Sequence, residues 1–288
     1  MNKMFSGVST SSFFRWMGFC AVCFVVTIHL PESAVQRFFH DWLAVWAVPW
    51  FFFASGFWSA GRAIGWRRIK SLLIPYLLAN GIWFAWMAVV EYAGCRFLGC
   101  SPSRFGVSLE NVMAAFGITS LYPALVPTWF LRALLAFGLL AVPVNLLAKK
   151  SRFVVVVLSG IVLVAHFWLW RNVSAAGREF LTFGFPLLGF SCFILGIAMG
   201  WGHNSSRSKL PNGLAGVACR NTFAVYLLHV PILLTLSYAL RPLGWWEWSK
   251  TGVGFVLLWT GIVLAAIGAA EGLRRFAPGF ASWLYGGR

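Results

Sequence analysis

Charge is what this sequence has least of. Only 10% of its 288 residues are Asp, Glu, Lys or Arg, against about 25% in an average soluble domain. So few ionised groups cannot clothe a water-facing surface of this size, and a lipid bilayer is the surrounding that the composition asks for. Acidic residues are scarcer still, 7 against 23 Lys and Arg, which gives a formal net charge of +16. In a soluble chain that excess would suggest nucleic acid. Here the basic residues stand in short clusters between apolar runs, and no basic face is long enough to track phosphates, so nucleic acid is not expected as a partner.

Cysteine is sparse too, with 6 in the chain. Cys20 and Cys23 have CxxC spacing, but they lie within an apolar run and have no second pair. They read as small buried hydrophobes, and no metal site is expected. Cys95 and Cys100, at the outer end of the third apolar run, could pair if that side is oxidising. There is no internal repeat and no stretch that reads as a separate soluble domain. No small-residue cleavage site follows the first apolar run, so that run is expected to be retained as a helix.

What abounds is hydrocarbon: 60% hydrophobic residues, with Trp 17 and Phe 28. Runs of about 20 apolar residues cross a bilayer as helices, because only a helix satisfies its own backbone groups there. Eight such runs are read, at roughly 13–30, 42–60, 71–93, 123–148, 153–171, 182–202, 213–240 and 252–273. The expected fold is all-α, a polytopic integral membrane helical bundle of about eight transmembrane helices, with residues 1–288 as a single integral membrane domain. A short interfacial helix is expected near Leu109 to Phe116. Basic clusters set the orientation. Lys3, Arg62 to Lys70, Lys149 to Arg152, Arg207, Lys209, Arg274, Arg275 and Arg288 fall on one side; fewer basic residues, spread over longer loops, fall on the other. The bias predicts N-in and C-in.

Against this background the stretch "AVYLLHVPILL", Ala224 to Leu234, carries an anomaly. His229 sits in a run that hydrocarbon would welcome, and an ionisable group inside a membrane is by default a functional candidate. His29 ends the first span, in "VVTIHLPES". "PTWFLRALL" puts Trp129 and Arg132 at the same level of span four, and His166 lies there in span five. Several polar groups thus meet at one depth, near the outer third of the bilayer. His166, alone in its span, reads as a core histidine hydrogen-bonded to a backbone carbonyl. Arg132 could snorkel to the interface and Trp129 could belong to an aromatic belt. Arg15 and His29 are fourteen residues apart, about 21 Å of rise and within about 40° of the same direction on a helix. They share a face that could line a passage.

Several stretches, in order, resemble the membrane-bound acyltransferase-3 family. These are "VPWFFFASGFW" (Val48 to Trp58), "RRIKSLLIPYLL" (Arg67 to Leu78), "PTWFLRALL", "FPLLGFSCFILGIAMG" (Phe185 to Gly200), "NTFAVYLLHVPIL" (Asn221 to Leu233) and the closing "RRFAPGFASWLYGGR". Members O-acylate sugars of surface glycans with acyl groups from acyl-coenzyme A. The family's first-span motif is an Arg followed eleven positions on by an essential His. His29 matches the His; the Arg position falls on Gly18, and Arg15 stands one helical turn lower. The family's basic Arg-x-x-Arg pattern is matched by Arg67, Arg68 and Lys70, with Lys in its last place. Members often have about ten spans, two more than are read here.

The resemblance implies a membrane O-acyltransferase of a bacterial plasma membrane, with acyl-coenzyme A as co-substrate, no bound cofactor, and a glycan or glycolipid acceptor. His29 is then the general base, suited by an ordinary imidazole pKa near 6.5; a covalent acyl-His is the other use open to it. His229 would face the same chamber as a second catalytic imidazole. Arg15, Trp129, Arg132 and Tyr226 are candidates for binding acyl group and acceptor, and Arg67, Arg68 and Lys70 for the coenzyme A phosphates. Two other readings compete: a multi-span transporter or flippase using the Arg15–His29 face, and an inactive relative that serves as an assembly partner. Transporters tend to carry repeated halves, and none is visible.

Overall fold

The computed structural model of the protein describes residues 10–62, 65–98, 108–120, 123–202, 213–240 and 244–285. The expected pairing of Cys95 with Cys100 lies outside the described residues, as do Lys3, Arg207, Lys209 and Arg288.

The described chain is helical, and its elements run as follows. Helix α1 is Thr10–Ile28. Helix α2 (Ala34–Phe39) passes through a π-turn, His40–Ala44, into α3 (Val45–Ser59). Then come α4 (Trp66–Leu98) and the short α5 (Leu109–Ala115). A 3-10 turn, Val126–Thr128, opens α6 (Trp129–Lys150), which is followed by α7 (Arg152–Asn172). Helix α8 (Ala175–Glu179) and a second π-turn, Phe180–Gly184, lead to α9 (Leu187–Gly200). The rest is α10 (Gly213–Leu240), α11 (Trp245–Ser249), α12 (Gly252–Phe276) and α13 (Pro278–Leu284). Eight segments are long and apolar enough to cross a membrane: α1, α2–α3, α4, α6, α7, α8–α9, α10 and α12. They coincide with the eight runs read from the sequence, and α5 is the short helix expected near Leu109.

Neighbouring helices form a chain of contacts in which α12 packs on α10, α10 on α1, α1 on α3, α3 on α9 and α9 on α7; α6 packs on α3, α4, α7 and α9. The closest seam is α3 against α9. A Cβ on Gly196 would come within 2.1 Å of the Phe53 carbonyl oxygen, and one on Gly56 within 2.0 Å of that of Phe193. Backbone cannot step aside as a side chain can, so only glycine permits this approach. "GIAMG", Gly196 to Gly200, is the small-xxx-small pattern by which membrane helices bring their backbones together.

The two ends of the bundle differ. Arg62, Arg67, Arg68, Lys149, Lys150, Arg152, Arg274 and Arg275 gather where α1 begins and α12 ends. There Asn145 clasps the end of α3, donating to the Ser59 carbonyl (3.2 Å) and accepting from the Gly61 amide (2.8 Å). Glu271 of α12 accepts from Arg220 (2.9 Å), Asn221 (2.6 Å) and Arg274 (3.0 Å), which ties α10 to α12. At the opposite end lie His29, His166 and His229.

Candidate active site

Because α1 packs on α10, the two imidazoles read from sequence come together: the His29 and His229 rings are 5.0 Å apart. Their surroundings differ. His229 is 1% exposed. Its Nδ1 lies 3.1 Å from the Val225 carbonyl oxygen one turn back on the same helix. A carbonyl oxygen can only accept, so Nδ1 carries a hydrogen, and in the neutral ring Nε2 keeps a lone pair. That Nε2 is buried without a partner among the described residues. His29, half-buried, opens on a cavity of about 490 Å³. His229 is therefore behind His29 rather than in the cavity wall. Helix α10 continues through Pro231 without a break.

The cavity also holds Trp129, Tyr226, His166 and, unforeseen from the sequence, His40 and Trp170. The rest of its wall is mostly apolar, including Pro49, Phe52 and Pro127. A volume of this order and a few polar groups in an apolar wall are the usual make-up of a small-molecule site.

Its rim is fixed by polar groups on neighbouring elements. Asn80, fully buried on α4, accepts from the Leu125 amide (3.0 Å) and donates to the Thr128 hydroxyl (2.8 Å) and the Tyr76 carbonyl (2.8 Å). A buried amide this well satisfied holds its loop firmly, and the loop it holds bears Pro127 and leads into Trp129. Trp129 then meets Phe183 edge-on, ring centroids 5.4 Å apart. Arg132, a predicted binding residue, serves the same frame: its guanidinium donates to the Gly117 carbonyl (2.8 Å) and the Phe183 carbonyl (2.9 Å). It ties the segment after α5 to the π-turn before α9 and does not line the cavity.

A second cavity, of about 480 Å³, lies toward the basic end. Arg15 and Arg220 are the charged groups in its wall. Arg220 is paired with Glu271, while Arg15 makes no ion pair among the described residues. Gly18 adjoins the same space. A Cβ there would stand 3.9 Å from Thr222 Cγ2 and 4.0 Å from Phe51 Cε1, and both of those residues line the cavity. A side chain from position 15 thus reaches the cavity that one from position 18 would border. Arg67 and Lys70 are exposed on α4, with Lys70 Nζ 5.3 Å from the Trp66 ring centroid, and Arg68 is turned toward α6. The structure does not bring these three to the second cavity.

The two cavities are stacked along the bundle. Helices α1, α3, α6 and α10 line both, and one face of α1 runs from Arg15 and Val22 in the second to Val25 and His29 in the first. Tyr226 belongs to both walls. Its buried hydroxyl donates to the Pro127 carbonyl, and its ring packs with Phe130 (5.6 Å) and Phe51 (6.4 Å). Among the described residues no cluster of His, Cys, Asp and Glu could hold a metal ion.

Comparison with known proteins now adds one finding. The family model described as acyltransferase domain, acyltransferase-3, matches residues 12–219, from α1 into α10, and so covers Arg15, His29, Trp129 and Arg132 but stops short of His229. No curated protein and no solved structure matches the chain. A match over well more than half of the chain, on eight helices fit to cross a membrane, settles the family: the protein belongs to the acyltransferase-3 family and is a multi-pass membrane acyltransferase.

Proposed function

We propose that the protein moves an acyl group, acetyl in the simplest case, from acyl-coenzyme A to a hydroxyl of a cell-envelope sugar or glycolipid. In this reading it sits in a bacterial plasma membrane with its basic end in the cytoplasm, as the basic clusters favour. The observation that carries the reading is the pair of stacked cavities: fixed cations in one, imidazoles in the other, and Tyr226 between them.

The donor enters from the basic end. Arg15 and Arg220 hold its phosphates, since a guanidinium stays charged and presents forked donors to an anion. Arg67, Arg68 and Lys70 stand outside that cavity and add to the field that draws a polyanion toward it. The acceptor enters the histidine cavity. His29 takes the proton of its hydroxyl as the oxygen attacks the thioester carbonyl. The new C–O bond forms, the C–S bond breaks, and the departing thiolate takes up the proton from His29. His229 stands beside that ring with an unprotonated Nε2. It offers an acceptor for one N–H of His29 and so decides which nitrogen of His29 faces the substrate. Trp129 shapes the acyl and acceptor space, and Arg132 keeps that wall in place.

The test is transfer of label from radioactive acetyl-coenzyme A to a bacterial glycolipid extract by the purified protein. His29→Ala should lower turnover by about 10²–10⁴-fold while the variant melts and elutes as the parent does. Equal labelling by the variant would remove His29 as the base. Uptake of a labelled solute into vesicles without any acyl donor would favour a transporter.

A further inference from the structure

Each histidine in the first cavity ought to satisfy its ring nitrogens, because an unmet buried donor or acceptor is costly and uncommon. His229, which stands behind that wall, meets a partner at Nδ1 through its own helix, while its Nε2 has none among the described residues. His166 lacks even the Nδ1 bond. It lies on α7, is 7% exposed and lines the cavity; its Nδ1 is enclosed by protein with no hydrogen-bond partner, so the ring meets the cavity through its other nitrogen, Nε2. The carbonyl bond that the sequence led us to expect of a solitary core histidine is not made at that nitrogen.

Its position is as informative as its chemistry. Helix α1 packs on α3, α3 on α9, and α9 on α7, so along this path His29 and His166 enter one cavity from helices with two others between them. Trp170, one turn beyond His166, lines the same cavity with its ring 5.6 Å from the imidazole, and Trp129 lines it from α6. Indole rings offer flat apolar faces to the C–H side of a pyranose, and an imidazole nitrogen offers a directed bond to a hydroxyl. Together they form a wall fit to hold a sugar ring while another of its hydroxyls meets His29.

We infer that His166 is the residue that selects the accepting hydroxyl: it binds one hydroxyl of a pyranose stacked against Trp170 and Trp129, and thereby fixes which other hydroxyl is presented to His29. This rests on His29 being the base, and the experiment separates the two. It uses two variants of the full-length protein in detergent: His166→Leu, which removes the bond, and His166→Gln, whose longer amide restores a polar group near Nε2. Loss of one such bond should raise the KM for the acceptor about tenfold, leave the KM for acetyl-coenzyme A within about twofold, and spread the acyl group over more than one hydroxyl in the product. The Gln variant should recover both KM and position.

A second arm needs no acyl transfer. Saturation-transfer NMR with the methyl glycosides of glucose, mannose and N-acetylglucosamine should show binding to the parent, weakened by His166→Leu and by Trp170→Ala. The inference is overturned if His166→Leu acylates the same hydroxyl with unchanged acceptor KM. It is also overturned if none of the glycosides binds the parent, or if they bind parent and His166→Leu alike. Glycoside binding that depends on His166, in a protein that transfers no acyl group, would instead keep the subsite and remove the proposed reaction.

Discussion

The two cavities have almost the same volume, about 490 and 480 Å³, and share four helices, yet they are chemically opposite. One has arginines as its charged groups, and arginine does not give up its proton in a protein. It can hold an anion and can do nothing as a base. The other has imidazoles, which can take up and release a proton at ordinary pH, among indoles, which stay neutral. A thioester donor made of a polyanionic handle and a reactive carbonyl needs both environments, one at each end of itself. In the proposed reading, a division of labour along α1 makes the pair more than two holes in a bundle, and it can be broken at several places.

The largest effect belongs to the histidine side. His29→Ala should cut turnover by about 10²–10⁴-fold and leave the KM for acetyl-coenzyme A where it was, because the proposed phosphate site lies in the other cavity. A raised donor KM together with lost turnover would say that the cavities are one site with no division.

Next comes the arginine side, where the expected change is in KM. Arg15→Ala should raise the KM for the acyl donor by about ten- to a hundredfold, the worth of a charge-assisted bond of about 1.5–3 kcal/mol. Gly18 makes the test sharper. Since position 18 borders the same cavity as Arg15, adding Gly18→Arg to Arg15→Ala should recover part of the donor affinity. Failure of that rescue, with the double variant still folded, would show that the cation must come from position 15.

How these residues could be seen in advance depended on what each kind of signal measures. The spans were legible because apolar length is set by bilayer thickness, a local property of the chain. Helix α4 nevertheless begins at Trp66, before the apolar run, because basic side chains at a helix end reach out to water while their backbone stays helical. His29 and His229 stood out as ionisable groups in hydrocarbon, and their meeting follows from α1 packing on α10. Arg220 shares a cavity with Arg15 only because of how α10 is rotated against α1, which no single run reveals. His40 carried no signal at all. It lies among polar residues between spans, and only the π-turn after α2 puts it against the cavity. Arg132 shows the converse: its depth suggested a ligand, whereas its bonds to Gly117 and Phe183 show a brace.

A milder test concerns the second imidazole. His229→Asn removes the Nε2 acceptor beside His29 while leaving a polar side chain of smaller reach. If His229 only orients the base, turnover should fall by about tenfold to a hundredfold and donor and acceptor KM should hold. A fall as deep as that of His29→Ala would mean that the two rings act as one unit, and the double variant would then lose no more than either single one.

The smallest expected effect lies at the boundary. Tyr226→Phe keeps the ring that packs with Phe130 and Phe51 but strips the Pro127 carbonyl of its donor, which costs about 1 kcal/mol of stability and is read as a slightly lower melting temperature with nearly parental transfer. Tyr226→Ala removes the ring as well and joins the two cavities. If Tyr226 keeps the thioester from water until an acceptor hydroxyl is in place, the alanine variant should hydrolyse acetyl-coenzyme A without acceptor while the phenylalanine variant does not. Equal hydrolysis by the two would assign the partition to the hydroxyl's hold on Pro127, and so to the loop that Asn80 fixes, rather than to the aromatic ring.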